Sequence, residues 1–279
     1  MPLVLALVSA LFYGTADFLG GLAARRSAAI AATALAQGAG LVCLAAAMPF
    51  FSSGMPTSAD VSWGIGAGFT GGTGVALLYY GLAVGRVSVV APVTAVCSIA
   101  VPVLVAVALG ERPRPLAVGG IAVAVLSVGL ISRHEDAGEG SRGRDRSILI
   151  ALASGVAIGG FLVCLARAGT TSGLWPLLVA RSVSTAALAC AAVVARVRVA
   201  VPRPVLPLVI ACGAIDVLAN ALYVVAAGTG PLGLVATLAS LYPASTVLLA
   251  RLVLREKLQP VQSLGLACAA AAIVLITTR

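Results

Sequence analysis

Long apolar blocks alternate along the chain with short polar connections. Each block has about 20 residues, the length that crosses roughly 30 Å of hydrocarbon as an α helix. The pattern predicts an all-α polytopic membrane protein with ten transmembrane helices. The predicted spans are residues 2–22, 28–51, 62–84, 87–109, 115–132, 147–166, 173–195, 204–226, 231–253 and 259–277.

The first block lacks a basic leader and contains Asp17, so it is interpreted as the first span and not as a cleaved signal peptide.

Composition supports a membrane location. Of the 279 residues, 61% are hydrophobic and 10% are charged, against about 25% charged in a soluble domain. The net charge of +9 comes from arginines in the connections, without a basic stripe, so no nucleic acid partner is expected. The expected surroundings are the lipid bilayer of a cell membrane, the plasma membrane in a prokaryote, with the chain crossing it several times.

Motifs for metals and cofactors are missing from the sequence. The six cysteines lie in apolar blocks without a CxxC pair, and His134 is the single histidine, so neither a zinc site nor a disulfide framework is expected. There is also no GxxxxGK[ST] motif, so the chain is not itself an ATPase. We expect no cofactor and no metal.

The sequence repeats itself after 145 residues. This shift places Glu111 on Glu256 and Pro115 on Pro260, and it pairs serines and glycines throughout the chain. The predicted organisation is a first five-helix repeat at residues 1–132, a charged linker at 133–146 and a second five-helix repeat at 147–279. Because five is odd, the second repeat enters the membrane from the opposite side, which predicts an inverted repeat.

Two matching segments carry a family resemblance. GERPRPLAVGGIAVAVLSVGLI, from Gly110, and REKLQPVQSLGLACAAAAIVLI, from Arg255, each combine an acidic turn, a proline and a glycine-containing last helix. This unit resembles the EamA domain of the drug/metabolite transporter superfamily. The resemblance implies a carrier whose substrates range over amino acids, drugs, sugars and sugar phosphates. Glu111 and Glu256 are expected to be structural, capping a helix or pairing with arginines.

Three ionisable residues lie inside predicted spans, where each costs at least about 2.5 kcal/mol on insertion scales. They are Asp17, Arg181 and Asp216. Asn220 and Tyr223 follow Asp216 on the same helical face, and Asp216 is the expected partner of Arg181. This pair either lines a substrate pathway or is a closed ion pair that fixes helix packing.

Further polar side chains extend this candidate site. Tyr13 lies one turn before Asp17, and small multidrug exporters of the same superfamily carry a similarly placed first-helix carboxylate that binds a proton or a cationic drug. Gln37 falls within one residue of the repeat position of Arg181. The predicted substrate pathway comprises Tyr13, Asp17, Gln37, Tyr79, Arg181, Asp216, Asn220, Tyr223 and Tyr242.

Prolines within spans four and nine are candidate hinges. Pro92, Pro102 and Pro243 each free a backbone carbonyl that lipid cannot satisfy. In span three, Gly64 and Gly68 belong to a small-xxx-small stripe, which predicts close helix packing.

The predicted function is secondary transport, specifically export of small metabolites or drugs by alternating access, driven by a proton or concentration gradient. A non-transporting membrane scaffold or receptor is the alternative. An intramembrane enzyme is disfavoured, because no nucleophile or metal constellation lies at membrane depth.

Positive charge is distributed unequally between the two sides. The connections after odd-numbered spans hold most of the basic residues, including Arg25, Arg86, Arg146 and Lys257. The positive-inside rule therefore predicts a cytoplasmic linker and both termini outside.

Overall fold

The computed structural model describes residues 2–51, 55–110, 115–132, 141–168, 173–229, 239, 242–256 and 259–277. These residues form α helices joined by short turns, and they contain no β strand. The helices are α1 (Pro2–Arg25), α2 (Ala29–Phe51), α3 (Ser58–Val84), α4 (Val87–Ala108), α5 (Pro115–Ser132), α6 (Ser141–Ala168), α7 (Trp175–Val194), α8 (Leu206–Thr229), α9 (Tyr242–Val253) and α10 (Pro260–Thr277).

The helices follow the predicted apolar blocks to within three residues, except at the starts of α3, α6 and α9. Helix α3 begins at Ser58, four residues before the predicted span. Helix α6 begins at Ser141, inside the predicted linker, because its polar first turns continue the helix beyond the apolar block; residues 133–140 lie outside the described part. Helix α9 is described from Tyr242. Most of the earlier part of its predicted span, 231–253, lies outside the described residues.

The helices are built for a bilayer. Within the described residues, α1, α2, α3, α6, α7 and α8 are long and apolar enough to cross a membrane, and shorter apolar stretches occur in α4, α9 and α10. Large apolar side chains point outward, with Val42 at 70% exposure and Leu149 at 65%. In water, such an exposed apolar surface would cause protein molecules to associate with one another. The chain is therefore a polytopic membrane protein.

Helix packing joins the two sequence halves. The most extensive contacts pair α3 with α6, α5 with α10, α1 with α8 and α4 with α6. The 145-residue shift converts the α3–α6 pair into the α8–α1 pair. The Ser154 Oγ atom donates to the Gly74 carbonyl at 2.8 Å, and Ser9 Oγ donates to the Ala219 carbonyl at 2.8 Å. Residues related by the shift therefore make the same hydrogen bond twice.

Several helix ends meet at one face of the bundle. At the end of α1, Arg25 donates from Nε to the Leu82 carbonyl at 2.8 Å and from Nη2 to the Gly85 carbonyl at 2.9 Å. Near the start of α6, Arg146 donates to the Tyr80 hydroxyl at 3.0 Å. Helix α6 thus begins at the face where α1 ends, so these two corresponding helices run in opposite directions.

The glycine stripe of α3 lies against α7. A Cβ atom at Gly68 would lie 2.6 Å from Val183 Cβ and 2.7 Å from the Ala180 carbonyl oxygen, and Gly64 and Gly72 are similarly crowded. Only glycine allows the two backbones to approach this closely. The stripe is a packing surface, as the sequence predicts.

Glu256 binds the start of α4. Its carboxylate accepts hydrogen bonds from the backbone N–H groups of Val87 and Ser88, each at 3.1 Å, and lies 3.7 Å from Arg25 Nη2. Free N–H groups and the helix dipole make a helix N-terminus favourable for negative charge. The structural role expected of Glu256 is confirmed, while Glu111 lies outside the described residues.

The residue before the acidic turn position has a positive φ angle in both halves. Gly110 has φ of 90° and Arg255 has φ of 56°. Arg255 therefore adopts a left-handed conformation that favours glycine.

Candidate functional site

Arg181 on α7 joins three helices. Its Nη1 atom donates to Gln37 Oε1 of α2, and its Nη2 atom forms an ion pair with Asp216 Oδ2 of α8. The side chains of Arg181 and Asp216 are 13% and 24% exposed, so the ion pair is largely but not completely buried. A Cβ atom at Gly40 would lie 3.1 Å from Arg181 Nη1 and 3.2 Å from the Gly213 carbonyl oxygen, which shows how small residues make room for the guanidinium.

The Asp216 carboxylate has a second donor. Asn220, one turn later on α8, donates from Nδ2 to Asp216 Oδ2 at 3.2 Å and to the Asp216 carbonyl at 2.7 Å. Tyr223, on the next turn, packs against the cluster formed by the buried residues Ala6 and Ala226. The pairing of Arg181 with Asp216 is the one expected from the sequence, and together they carry no net charge.

Two tyrosines lie beside this polar group. The rings of Tyr13 on α1 and Tyr242 on α9 are 6.4 Å apart, centroid to centroid, and meet edge to face at 62°. Tyr13 also interacts electrostatically with Asp17, Arg181 and Tyr223. The structure thus brings residues from α1, α7, α8 and α9 into one cluster in the interior of the bundle.

Asp17 is the ionisable group that this cluster leaves without a charged partner. Its side chain is partly exposed, and within the described part of the chain its carboxylate makes no hydrogen bond or ion pair. Tyr242 interacts electrostatically with Asp17. Because Arg181 is neutralised by Asp216, the cluster has one carboxylate in excess.

Tyr79 is placed differently from the other predicted residues. It is 4% exposed, its ring packs on Gly20 of α1, and its hydroxyl lies 3.1 Å from Cys212 Sγ. The Cys212 thiol donates to the Ala16 carbonyl at 3.3 Å. Tyr79 therefore lies at the interface of α1, α3 and α8, and like Tyr13 it interacts electrostatically with Asp17 and Arg181.

Two residues near the cluster were missed by sequence reasoning. Cys212 is not among the predicted site residues, although it lies one turn before Asp216 on α8. Ser98 is the position that the 145-residue shift pairs with Pro243, next to Tyr242. Both signals were present in the sequence, but neither says which side chains meet across helices.

The candidate hinges lie on α4 and α9. Pro92 and Pro102 occur inside the continuous helix α4, and Pro243 lies in the first described turn of α9. Pro92 and Pro243 line an apolar cavity of about 350 Å³ between α4, α9 and α10. The hinge role of these prolines stays a prediction.

A family match and a structural likeness connect this chain to known proteins. The sequence profile of the EamA-like transporter family matches residues 1–133 and 145–278. The chain belongs to this family. A solved structure described only as "Crystal structure of protein" aligns with a TM-score of 0.59 and 18% identity, covering 97% of this chain and 98% of its own. That likeness indicates a shared fold, and comparison with curated protein sequences gave no match.

Membership in this family establishes the function at the level of the family. As an EamA-like transporter, the chain is a membrane-embedded carrier of the drug/metabolite type that acts on a small molecule. The family match covers both sequence halves, in agreement with the repeat.

Proposed function

We propose that this EamA-like transporter is a secondary carrier that exports small metabolites or drugs by alternating access. The single observation that carries the proposal is the cluster of the ionisable residues Asp17, Arg181 and Asp216 inside the helix bundle, since such groups are expensive at membrane depth and mark pathways. The proposed pathway also includes Tyr13, Gln37, Tyr79, Asn220, Tyr223 and Tyr242.

The carrier is proposed to consist of two inverted five-helix repeats, residues 1–132 and 147–279, with ten spans in total. The opposite directions of α1 and α6 support this arrangement, and so do the equivalent hydrogen bonds of Ser9 and Ser154. Two similar halves of opposite orientation can exchange conformations and expose a central site to each side in turn.

The chemistry of the cluster separates into two parts. The Arg181 fork is held by Asp216 and Gln37, and a substrate carboxylate can compete for it, because bidentate binding of carboxylates is the geometry that guanidinium favours. Asp17, without such a partner, is proposed to carry the coupling proton. Its protonation removes the one uncompensated charge of the cluster and so lowers the cost of closing the site off from water while access changes sides.

The proline-containing helices are proposed to move. Helices α4 and α9 occupy equivalent places in the two halves. Pro92 and Pro102 interrupt the hydrogen-bond ladder of α4, and Pro243 lies in the first described turn of α9. Bending at these points changes access to the cluster without breaking the interface between α5 and α10.

Vesicle export tests this proposal. Purified protein is reconstituted into liposomes loaded with a defined metabolite mixture, a proton gradient is imposed, and the retained metabolites are quantified by mass spectrometry. We expect one chemical class to leave wild-type vesicles faster than protein-free vesicles. Asp17→Asn, which is nearly isosteric, is expected to abolish the gradient dependence.

The controls separate the alternatives. Tyr80→Phe, outside the cluster and beside Arg146, is expected to behave as wild type. Unchanged export in both Asp17→Asn and the Arg181→Gln/Asp216→Asn double variant would reject the assigned pathway. Retention of every metabolite under either gradient direction would reject carrier activity in favour of a scaffold or receptor.

A further inference from the structure

A cavity on the flank of the bundle has no part in the polar cluster. Its volume is about 350 Å³, more than twice the roughly 150 Å³ of an apolar cavity that accommodates benzene. Its floor consists of the buried side chains of Val247, Ala269 and Ile273. Its rim includes Leu248, which is 53% exposed, so the cavity opens onto the outer surface of the bundle.

The outer surface of this bundle is bathed by lipid. A groove there is filled by whatever the bilayer supplies, and its almost wholly apolar lining suits an acyl chain better than water or a polar solute. Filling it with hydrocarbon restores the dispersion contacts that an empty cavity lacks.

One charged side chain stands at the rim. Arg251 lines the cavity and lies in the last turn of α9. It is exposed, and within the described residues it forms no ion pair. Five residues later, Glu256 contacts Arg25 and the start of α4, so Arg251 lies near the membrane face where these helix ends meet, at the depth of lipid headgroups.

We propose that this cavity is a binding site for an anionic phospholipid, with an acyl chain between α4, α9 and α10 and the phosphodiester on Arg251. Basic groups at the ends of clefts between membrane helices attract acidic headgroups, and the guanidinium fork matches phosphate oxygens. The bound chain lies against Pro92 and Pro243, one proline from each sequence half, and so fills the space behind both candidate hinges.

The experiment measures lipid binding and does not depend on transport. Delipidated protein in detergent is titrated with phosphatidylglycerol or with phosphatidylcholine of identical chains, and bound lipid is counted by native mass spectrometry. We expect wild type to prefer phosphatidylglycerol by about fivefold, the factor that one arginine contributes to anionic-lipid attraction. Arg251→Gln is expected to remove that preference, whereas Arg26→Gln, at the same face but outside the cavity, is expected to retain it.

A second pair of variants tests the acyl chain. Ala270→Phe fills the cavity and is expected to lower binding of both lipids several-fold, while Ala271→Phe, an exposed neighbour that does not line the cavity, is expected to leave it unchanged. Equal phosphatidylglycerol binding by the Arg251→Gln and Arg26→Gln variants would overturn the headgroup assignment. Equal binding by the two phenylalanine variants would overturn the acyl-chain assignment.

Discussion

At the residue scale, the central fact is that Arg181 is shared between α2 and α8. Its guanidinium binds a neutral amide, Gln37, and a carboxylate, Asp216. One arginine therefore ties helices of both sequence halves to α7. A partly shielded ion pair of this kind stabilises the fold only while both charges are present.

Removing one charge from this pair should cost more than removing both. Arg181→Gln leaves the Asp216 carboxylate with Asn220 as its donor, and we expect the free energy of unfolding to fall by about 2 kcal/mol or more, the lower range for an orphaned charge because the pair is partly exposed. The double variant Arg181→Gln/Asp216→Asn should lose less. Thermal unfolding followed by intrinsic fluorescence measures both; additive losses would contradict a direct pair.

The Glu256 carboxylate gives a second prediction at this scale. Glu256→Ala removes an acceptor from the first N–H groups of α4 and should destabilise the protein by about 1 kcal/mol, while Glu256→Gln, which keeps one acceptor oxygen, should lose less. Arg255→Gly is the neighbouring control. It should be neutral or slightly stabilising, because glycine adopts the left-handed backbone at that position without strain. The prediction is wrong if Glu256→Ala unfolds at the wild-type temperature.

The sequence indicated the residues of the cluster, but it predicted only part of the cluster's geometry. Arg181 and Asp216 could be paired because they are rare charges inside apolar spans, whose partners must lie nearby. Tyr79 was grouped with them, yet its hydroxyl contacts Cys212 and its side chain is buried. The direction of a side chain depends on helix rotation and crossing angle, and these are set by packing between helices distant in sequence.

At the element scale, close packing of α3 on α7 fixes the frame around the cluster. The spacing of Gly64, Gly68 and Gly72 indicated from sequence that α3 packs closely against another helix, but it did not indicate that the partner is α7. Sequence did not predict that α6 starts at Ser141. Its first turns carry arginine and aspartate, and hydropathy alone cannot distinguish a helical extension in water from a linker.

A single methyl group should disturb this packing. Gly68→Ala places a Cβ atom 2.6 Å from Val183 Cβ, and we expect a loss of about 1–3 kcal/mol, the usual cost of overpacking. Gly66→Ala, in the same helix, meets Cys164 Sγ at 3.3 Å, where a flexible side chain can adjust. The two variants are compared by the temperature at which half of the protein aggregates in detergent. Equal temperatures would mean that the α3–α7 contact does not limit stability.

At the scale of the whole molecule, the 145-residue repeat is expressed in packing as well as in sequence. Sequence alone indicated two similar halves, but it gave no indication that the most extensive helix contacts run between them. The contacts of α1 with α8 and of α3 with α6 could not be read from periodicity, because every apolar face is compatible with many partners in a bilayer.

Orientation is the prediction that belongs to this scale. Because basic residues concentrate in the connections after odd-numbered spans, a green fluorescent protein fused after Arg279 should be dark and an alkaline phosphatase fused there should be active. The matched control is a fluorescent protein inserted in the linker between residues 133 and 146, which should fluoresce. Fluorescence from the C-terminal fusion would show the opposite orientation.

The interlocked halves have a consequence for biosynthesis. The first five helices enter the membrane before α6, α8 and α10, with which they make their most extensive contacts, have been translated. Until then the hydroxyl of Ser9 lacks the Ala219 carbonyl that it binds in the finished protein, and the glycine stripe of α3 has no neighbour. The early helices therefore remain in the bilayer with only the smaller contacts that they make among themselves, and a translation stall in the linker would leave an assembly intermediate that lacks most of its final helix contacts.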